Sequence, residues 1–187
     1  MAKGEALRDL TAAAIIDSAA KLIAERGDSA SMEEIASAAG VGRATLYRYF
    51  PGREELLRAM ALTSVQELAS RISEAELETV AFDEAIARLA RGIIATGSRY
   101  VAVSADSARY AEIYPAFDAD VIAPIRALFD RAQADGLLRP ELPPELAMQL
   151  FSGLAKAAVD ATSAGRQGGE EAAAAVTRLF LDGARGR

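Results

Sequence analysis

The chain has 187 residues, a net charge of −6 and 51% hydrophobic residues, with neither cysteine nor histidine. This composition is that of a globular protein, and it excludes disulfides, metal sites built on cysteine or histidine, and a histidine general base. The absence of a signal-peptide core and of a long apolar run makes the cytoplasm the expected location.

The apolar residues recur at helical spacing along nearly the whole chain, so the expected fold class is all-α. A first helix is predicted from Thr11 to Arg26, with Gly27 as its stop. A second, short helix is predicted to begin after Ser31, because Ser31 and Glu34 have the spacing of a capping box.

A third helix is predicted from Arg43 to Phe50, after a turn that contains glycine. Leu46 and Phe50 are four residues apart, which places both on one inward face. The outward face then holds Arg43, Ala44, Tyr47 and Arg48, with Thr45 and Tyr49 at its margins. The two short helices and their turn have the form of a helix-turn-helix.

The rest of the chain is predicted to form longer helices. One begins at Arg53 and continues to about Ile72, and another includes Phe82 to Tyr100. Pro124 predicts a kink or a break in the next helical stretch. The remaining predicted stretches are Ala116–Asp135, Glu145–Ala164 and Glu170–Ala184.

The segment from Ile35 to Arg53 carries three arginines and no acidic residue, although the chain is acidic overall. Guanidinium, hydroxyl and phenol groups on an exposed helix suit guanine edges, thymine methyls and phosphate oxygens. This predicts a small DNA-reading surface on an acidic body. The alternative is a solvated helix face whose charges have no role in binding.

The residue order in this region is specific. It runs Met32-x-x-Ile35-Ala36-x-x-Ala39-Gly40-Val41, then Thr45-Leu46-Tyr47-x-Tyr49-Phe50, then Arg53-Glu54-Glu55-Leu56-Leu57. This order resembles the N-terminal motif of the TetR (tetracycline repressor) family of bacterial transcriptional regulators. The resemblance implies a helix-turn-helix DNA-binding domain at residues 8–55, with its motif at 31–50, and a helical ligand-sensing and dimerisation domain at 56–187.

The resemblance also implies which residues contact DNA. They are Ser31, Gly42, Arg43, Ala44, Thr45, Tyr47, Arg48, Tyr49 and Arg53. Arg43 and Ala44 are expected at base edges, and Ser31 and Arg53 at phosphates. Gly42 stands where serine or threonine is frequent, so one hydroxyl contact is missing. Arg53 stands where lysine is usual, which preserves a phosphate contact.

The function implied by the resemblance is a homodimeric transcriptional repressor associated with the nucleoid. It binds the palindromic half-sites of duplex operator DNA and is released by an unidentified small-molecule effector, with no cofactor, metal or membrane partner. The alternatives are an activator and a helical ligand-binding or interaction module without DNA reading. An enzyme is disfavoured, because the sequence has neither an HExxH motif nor a Walker-type phosphate loop.

Two further residue sets belong to the expected body. The candidate dimer surface consists of Leu146, Leu150, Leu154, Val176 and Phe180. The candidate ligand contacts are Tyr100, Ser104, Arg109, Tyr110, Tyr114, Phe117, Phe129, Gln149 and Phe151. In both sets the alternative is ordinary packing within one chain, since apolar and aromatic residues at helical spacing are also the signature of a core.

Overall fold

The computed structural model describes residues 2–100 and 112–186, with side chains in these ranges except at residues 2–7 and 28. The helices are α1 (Ala2–Arg26), α2 (Met32–Ala38), α3 (Arg43–Tyr49), α4 (Arg53–Glu74), α5 (Phe82–Arg99), α6 (Ala123–Ala134), α7 (Pro144–Ser163) and α8 (Gly169–Ala184). Strand-like pairing in these ranges is limited to one bridge between Leu138 and Arg185. The expected all-α fold class is confirmed. None of the described helices is both long and apolar enough to cross a membrane.

The first helix is longer than predicted, because it begins at Ala2 rather than at Thr11. The added residues include alanine, glutamate, leucine and arginine, which favour a helix without forming an apolar stripe. Its predicted stop is confirmed, since Gly27 has a φ of 60°, in the left-handed region that glycine adopts at little cost.

The head of the protein consists of α1, α2, α3 and the first part of α4, packed around one apolar core. Ile15, Ile35, Leu46, Leu56 and Met60 each have 0% exposure there. Every helix of the head contributes to this core, so the position of α3 depends on all of its neighbours.

The body consists of the rest of α4 and the helices that follow. Its core includes four phenylalanines with ring centroids 5.3 to 6.3 Å apart, namely Phe82, Phe129, Phe151 and Phe180. Their edge-to-face and tilted arrangements are the favoured geometries for aromatic pairs. Because α4 places Met60 in the head core and Val65 in the body core, one helix runs through both.

Two types of helix adjoin near Pro124. Residues Asp118–Ile122 form a π-helical turn, and α6 follows directly from Ala123. Pro124 therefore lies in the first turn of α6, where a missing N–H is tolerated. A kink or a break was predicted near this proline. The structure instead shows a change from π-helical to α-helical hydrogen bonding, without a gap between two helices.

Candidate functional site

The start of α2 is held by the predicted capping box, which is confirmed. The Ser31 hydroxyl accepts a hydrogen bond from the Glu34 backbone N–H at 3.2 Å, and the Glu34 carboxylate accepts one from the Ser31 N–H at 2.9 Å. Arg26 at the end of α1 donates to the same carboxylate at 2.7 Å. These bonds lower the pKa of Glu34, and the bond from the Ser31 N–H has the largest effect. The carboxylate thus links α2 to α1.

The orientation of α3 is the one predicted from its spacing. Leu46 and Phe50 are buried at 0% and 7% exposure, so they attach the helix to the head core. The opposite side presents exposed residues to solvent, and these are Gly42, Arg43, Ala44, Tyr47 and Arg48. Thr45 and Tyr49 are half-buried at the edges of this surface, which we call the α3 face.

Neighbouring side chains arrange the arginines of the α3 face. The Arg43 guanidinium forms an ion pair with Glu33 of α2, with a distance of 2.5 Å between Nη2 and Oε1. The Arg48 guanidinium lies over the Tyr49 ring, 5.6 Å from its centroid, and Arg8 of α1 lies 5.9 Å from the same centroid. The pairing of Arg43 with Glu33 was not predicted, because nine residues of helix and turn separate the two and no local pattern connects them.

Two residues expected at phosphates also have partners inside the head. The Arg53 guanidinium donates to the backbone carbonyl of Ala30 at 2.5 Å and to that of Gly27 at 3.5 Å. The Ser31 hydroxyl, besides its role in the cap, donates to Glu34 at 2.9 Å. Arginine has five N–H donors, so Arg53 can join α4 to the end of α1 and still reach a phosphate. Both phosphate contacts remain predictions.

Tyr100 lies in the head core and not among the side chains of the body. It is 1% exposed and packs with the head residues, although it directly follows the body helix α5. Burial is the largest of the causes that raise its pKa. The preceding residue, Arg99, forms ion pairs with Asp17 of α1 and, at 3.3 Å, with Glu67 of α4. The end of α5 is therefore a second connection between head and body.

The other predicted ligand contacts lie in different places. Ser104, Arg109 and Tyr110 lie outside the described residues. Phe117, Phe129 and Phe151 are at most 5% exposed in the body core, where they pack against other apolar side chains. Gln149 lies on the outer surface of α7. Of the described residues in this set, only Tyr114 lines the cleft beside α4. The others were misplaced because helical spacing marks apolar faces without showing which of them border a cavity.

A cleft of about 620 Å³ opens between α4, the turn after it and the π-helical turn. Its lining includes the apolar residues Ile72, Leu77 and Pro124 and the carboxylates Glu76, Glu78 and Asp120. The Tyr114 hydroxyl donates to Asp120 at 2.6 Å, and this bond raises the pKa of Tyr114. A lining that combines apolar side chains with several carboxylates suits an organic cation. No local pattern in the sequence predicts this cleft, since its lining comes from separate segments.

A second groove, of about 610 Å³, runs along the outer side of α7 and α8. Leu146, Leu150 and Leu179 are exposed at 44%, 51% and 63% beside or within it. Of the predicted dimer residues, Leu146 and Leu150 are thus on the surface and Leu154 is half-buried in the groove lining. Val176 and Phe180 are buried in the body core, at 4% and 3% exposure, although Phe180 also borders the groove. The outer side of α8 presents Leu179, the residue before Phe180. Leu179 was not among the predicted dimer residues.

Comparison with known proteins gives consistent matches to one family. Residues 15–60 match the family described as "Bacterial regulatory proteins, tetR family". The HTH-type transcriptional repressor LfrR of Mycolicibacterium smegmatis is 34% identical over 161 residues, which are 84% of this chain and 82% of that protein. The regulator NfxB of Pseudomonas aeruginosa is 27% identical over 166 residues, which are 83% of this chain and 84% of that protein.

Similarity in structure extends over head and body. The crystal structure of LfrR from Mycobacterium smegmatis in complex with proflavine has a TM-score of 0.76 to this chain at 28% identity, and the match covers 95% of this chain and 97% of that one. Proteins of this family are DNA-binding transcriptional regulators and not enzymes. The helix-turn-helix with its exposed α3 face, the helical body and the extent of the match to LfrR together show that this chain is a transcriptional regulator of the TetR family.

Proposed function

We propose that this chain is a homodimeric repressor that a small-molecule effector releases from its operator. The α3 face carries the proposal, because the buried side chains Leu46 and Phe50 hold Arg43, Tyr47 and Arg48 outward on one short helix. Such a helix fits the major groove, where arginine pairs with guanine and where threonine and tyrosine contact thymine methyls or the backbone.

In this proposal two copies bind through the groove on α7 and α8. Three exposed leucines around one groove are a large apolar surface for a chain of this size, and a second copy would cover it. Helices α7 and α8 with their symmetry mates would form a four-helix bundle. The two α3 helices would then reach successive major grooves about 34–36 Å apart, which requires a palindromic operator.

We further propose that the effector is an organic cation and that it binds in the cleft beside Tyr114. Glu76, Glu78 and Asp120 provide negative charge at the cleft, while Ile72 and Leu77 provide apolar contact. The relative LfrR has a solved complex with proflavine. The similarity to that protein supports an aromatic cation as the first compound to test.

Release follows from a difference in effector affinity between two arrangements of head and body. An effector that prefers the arrangement with wrongly spaced α3 helices weakens DNA binding, typically by about 1–3 kcal/mol. Helix α4 lines the cleft and continues into the head core, so it can transmit the change. The contact of Arg99 with Asp17 offers a second route from body to head.

The test begins with duplexes that the full-length protein selects from a random DNA library. Affinity for a selected duplex, measured by fluorescence anisotropy, is expected to exceed that for random DNA by at least about a thousandfold, with two chains bound per duplex. Equal affinity for both duplexes would contradict DNA reading. In cells, loss of the gene should raise expression from the bound promoter, and a fall would instead identify an activator.

Proflavine then serves as the effector probe. Because planar cations also bind DNA directly, its affinity for the protein is first measured by fluorescence titration without DNA. The matched variant Glu76→Gln/Glu78→Gln keeps the shape of the cleft and removes two charges, so it should bind proflavine at least about tenfold more weakly. Equal binding by both proteins would reject the cleft as the effector site.

A further inference from the structure

Two adjacent glutamates of α2 contact different parts of the head. Glu34 belongs to the capping box and faces Arg26 of α1. Glu33 faces the recognition helix instead, and its carboxylate lies 2.5 Å from the guanidinium of Arg43, the first residue of α3. An acidic side chain thus lies directly beside the surface proposed to read DNA, next to the arginine expected at a base edge.

The pair of Glu33 and Arg43 is exposed to water. The Arg43 side chain is 67% exposed and that of Glu33 is 43% exposed. Ion pairs at such positions contribute little to folding stability, because water screens them and both side chains lose freedom. The main effect of the Glu33–Arg43 pair is therefore on the position and surroundings of the Arg43 guanidinium. The guanidinium is held beside Glu33 and has a negative charge next to it.

This negative charge distinguishes between the two kinds of DNA group that Arg43 can meet. A phosphate is an anion, so it must displace Glu33 or approach it against electrostatic repulsion. A guanine edge is neutral and offers two acceptors, O6 and N7. Arginine has five donors, so Arg43 can keep one bond to Glu33 and direct the others at guanine. Glu33 consequently penalises phosphate contact more than guanine contact.

We propose that Glu33 is a specificity-determining positioning residue: it holds Arg43 for a base edge and hinders its use on random phosphates. The proposal rests on the proposed function, since it requires that α3 reads DNA. Non-specific binding comes almost entirely from phosphate contacts. An acid that removes one such contact lowers affinity for random DNA and leaves affinity for the operator nearly unchanged, which raises the ratio between the two.

The test compares wild-type protein with Glu33→Gln, which preserves size and removes the charge. Dissociation constants are measured for the selected duplex and for a random duplex over a series of salt concentrations. The variant should bind random DNA about three- to tenfold more tightly and the selected duplex within about twofold of wild type. Its log–log salt slope on random DNA should steepen by about 0.9, which corresponds to one additional phosphate contact.

Two controls separate positioning of Arg43 from a general effect of charge. Glu170→Gln makes the same change of charge at an exposed position in the first turn of α8 and should leave both affinities within about twofold of wild type. In an Arg43→Ala background, Glu33→Gln should no longer alter the ratio between selected and random DNA, because its partner is gone. Thermal melts of all variants establish that the head remains folded.

The proposal is overturned if Glu33→Gln leaves the ratio unchanged, if it strengthens both duplexes equally, or if its effect persists without Arg43. Each of these results keeps the repressor assignment, since the wild-type protein would still prefer its selected duplex. Failure of the wild-type protein to select any duplex would instead reject the proposed function, and with it the role of Glu33.

Discussion

Arg99 at the end of α5 forms an ion pair with Asp17 of α1, across 82 residues of sequence. The same guanidinium lies 5.3 Å from the ring centroid of Tyr100, which is buried in the head core. Within residues 2–100 and 112–186, body and head are therefore joined through the continuous helix α4 and also through the end of α5. In the proposed release mechanism, the head moves relative to the body only if both of these contacts change.

Arg99→Ala is expected to change how strongly an effector bound to the body alters DNA binding by the head, with little loss of stability. The Arg99 side chain is 44% exposed, so its ion pairs should add at most about 1 kcal/mol to the free energy of unfolding. The effect of proflavine on operator affinity should nevertheless change at least about threefold. The matched control is Arg91→Ala on the same helix, since Arg91 pairs with Glu84 of α5 and not with the head. An equal change in both variants would contradict a specific role for Arg99.

Arg43 and Arg53 should differ in what their loss does to DNA binding. Arg43→Ala should relax base preference at one position and cost about 1–3 kcal/mol on the selected duplex. Arg53→Ala should weaken binding to all sequences alike and reduce the log–log salt slope by about 0.9. Anisotropy titrations on selected and random duplexes distinguish the two patterns, and the same pattern for both variants would reject this division.

Arg53→Ala should also destabilise the head, because Arg53 donates to the carbonyls of Ala30 and Gly27. Hydrogen bonds from charged donors typically contribute about 1.5–3 kcal/mol. Urea unfolding should therefore show a lower free energy of unfolding for Arg53→Ala than for Arg43→Ala. Arg53→Lys, which keeps the positive charge but not the forked geometry, should preserve the salt slope and lose part of the stability. An unchanged stability in Arg53→Ala would show that these bonds are dispensable.

The capping box should make the stability of the head depend on pH in the acid range. The pKa of Glu34 is below its ordinary value of 4.5, chiefly because the Ser31 N–H donates to the charged carboxylate. A carboxyl with a lowered pKa in the folded state stabilises the fold above its unfolded pKa, and this contribution is lost as pH falls through the folded pKa. Thermal melts between pH 7 and pH 3 should show a smaller loss of stability for Glu34→Gln than for wild type. Identical slopes would contradict the assignment.

Leu150→Arg and Leu179→Arg are expected to separate the proposed dimer. Each leucine lines the groove on α7 and α8. An arginine at either position would be buried without a partner in the dimer interface, and the two-fold symmetry would place this unfavourable charge there twice. The dimer dissociation constant should rise at least about a hundredfold, as measured by sedimentation equilibrium. Leu10→Arg is the matched control, because Leu10 is 69% exposed on α1, far along the chain from the groove. A wild-type protein that sediments as a monomer would reject the dimer directly.

The helices and the outward side of α3 were determined by the sequence itself. Periodicity, caps and glycine stops act between residues a few positions apart, so Leu46, Phe50, Ser31 and Gly27 were placed correctly without knowledge of the fold. Even there, the start of α1 was missed, because a helix of strong formers needs no apolar stripe.

Which surfaces meet was decided only by the tertiary structure. An apolar stripe shows that a face is covered but not what covers it. Tyr100 therefore proved to belong to the head, and Phe180 to the body core, while Leu179 beside it remained exposed. Arg43 with Glu33, Arg53 with Ala30 and Arg99 with Asp17 likewise depend on helices that approach each other in space. Charge pairs between separate helices have no periodic signature, because their geometry exists only after the cores have packed.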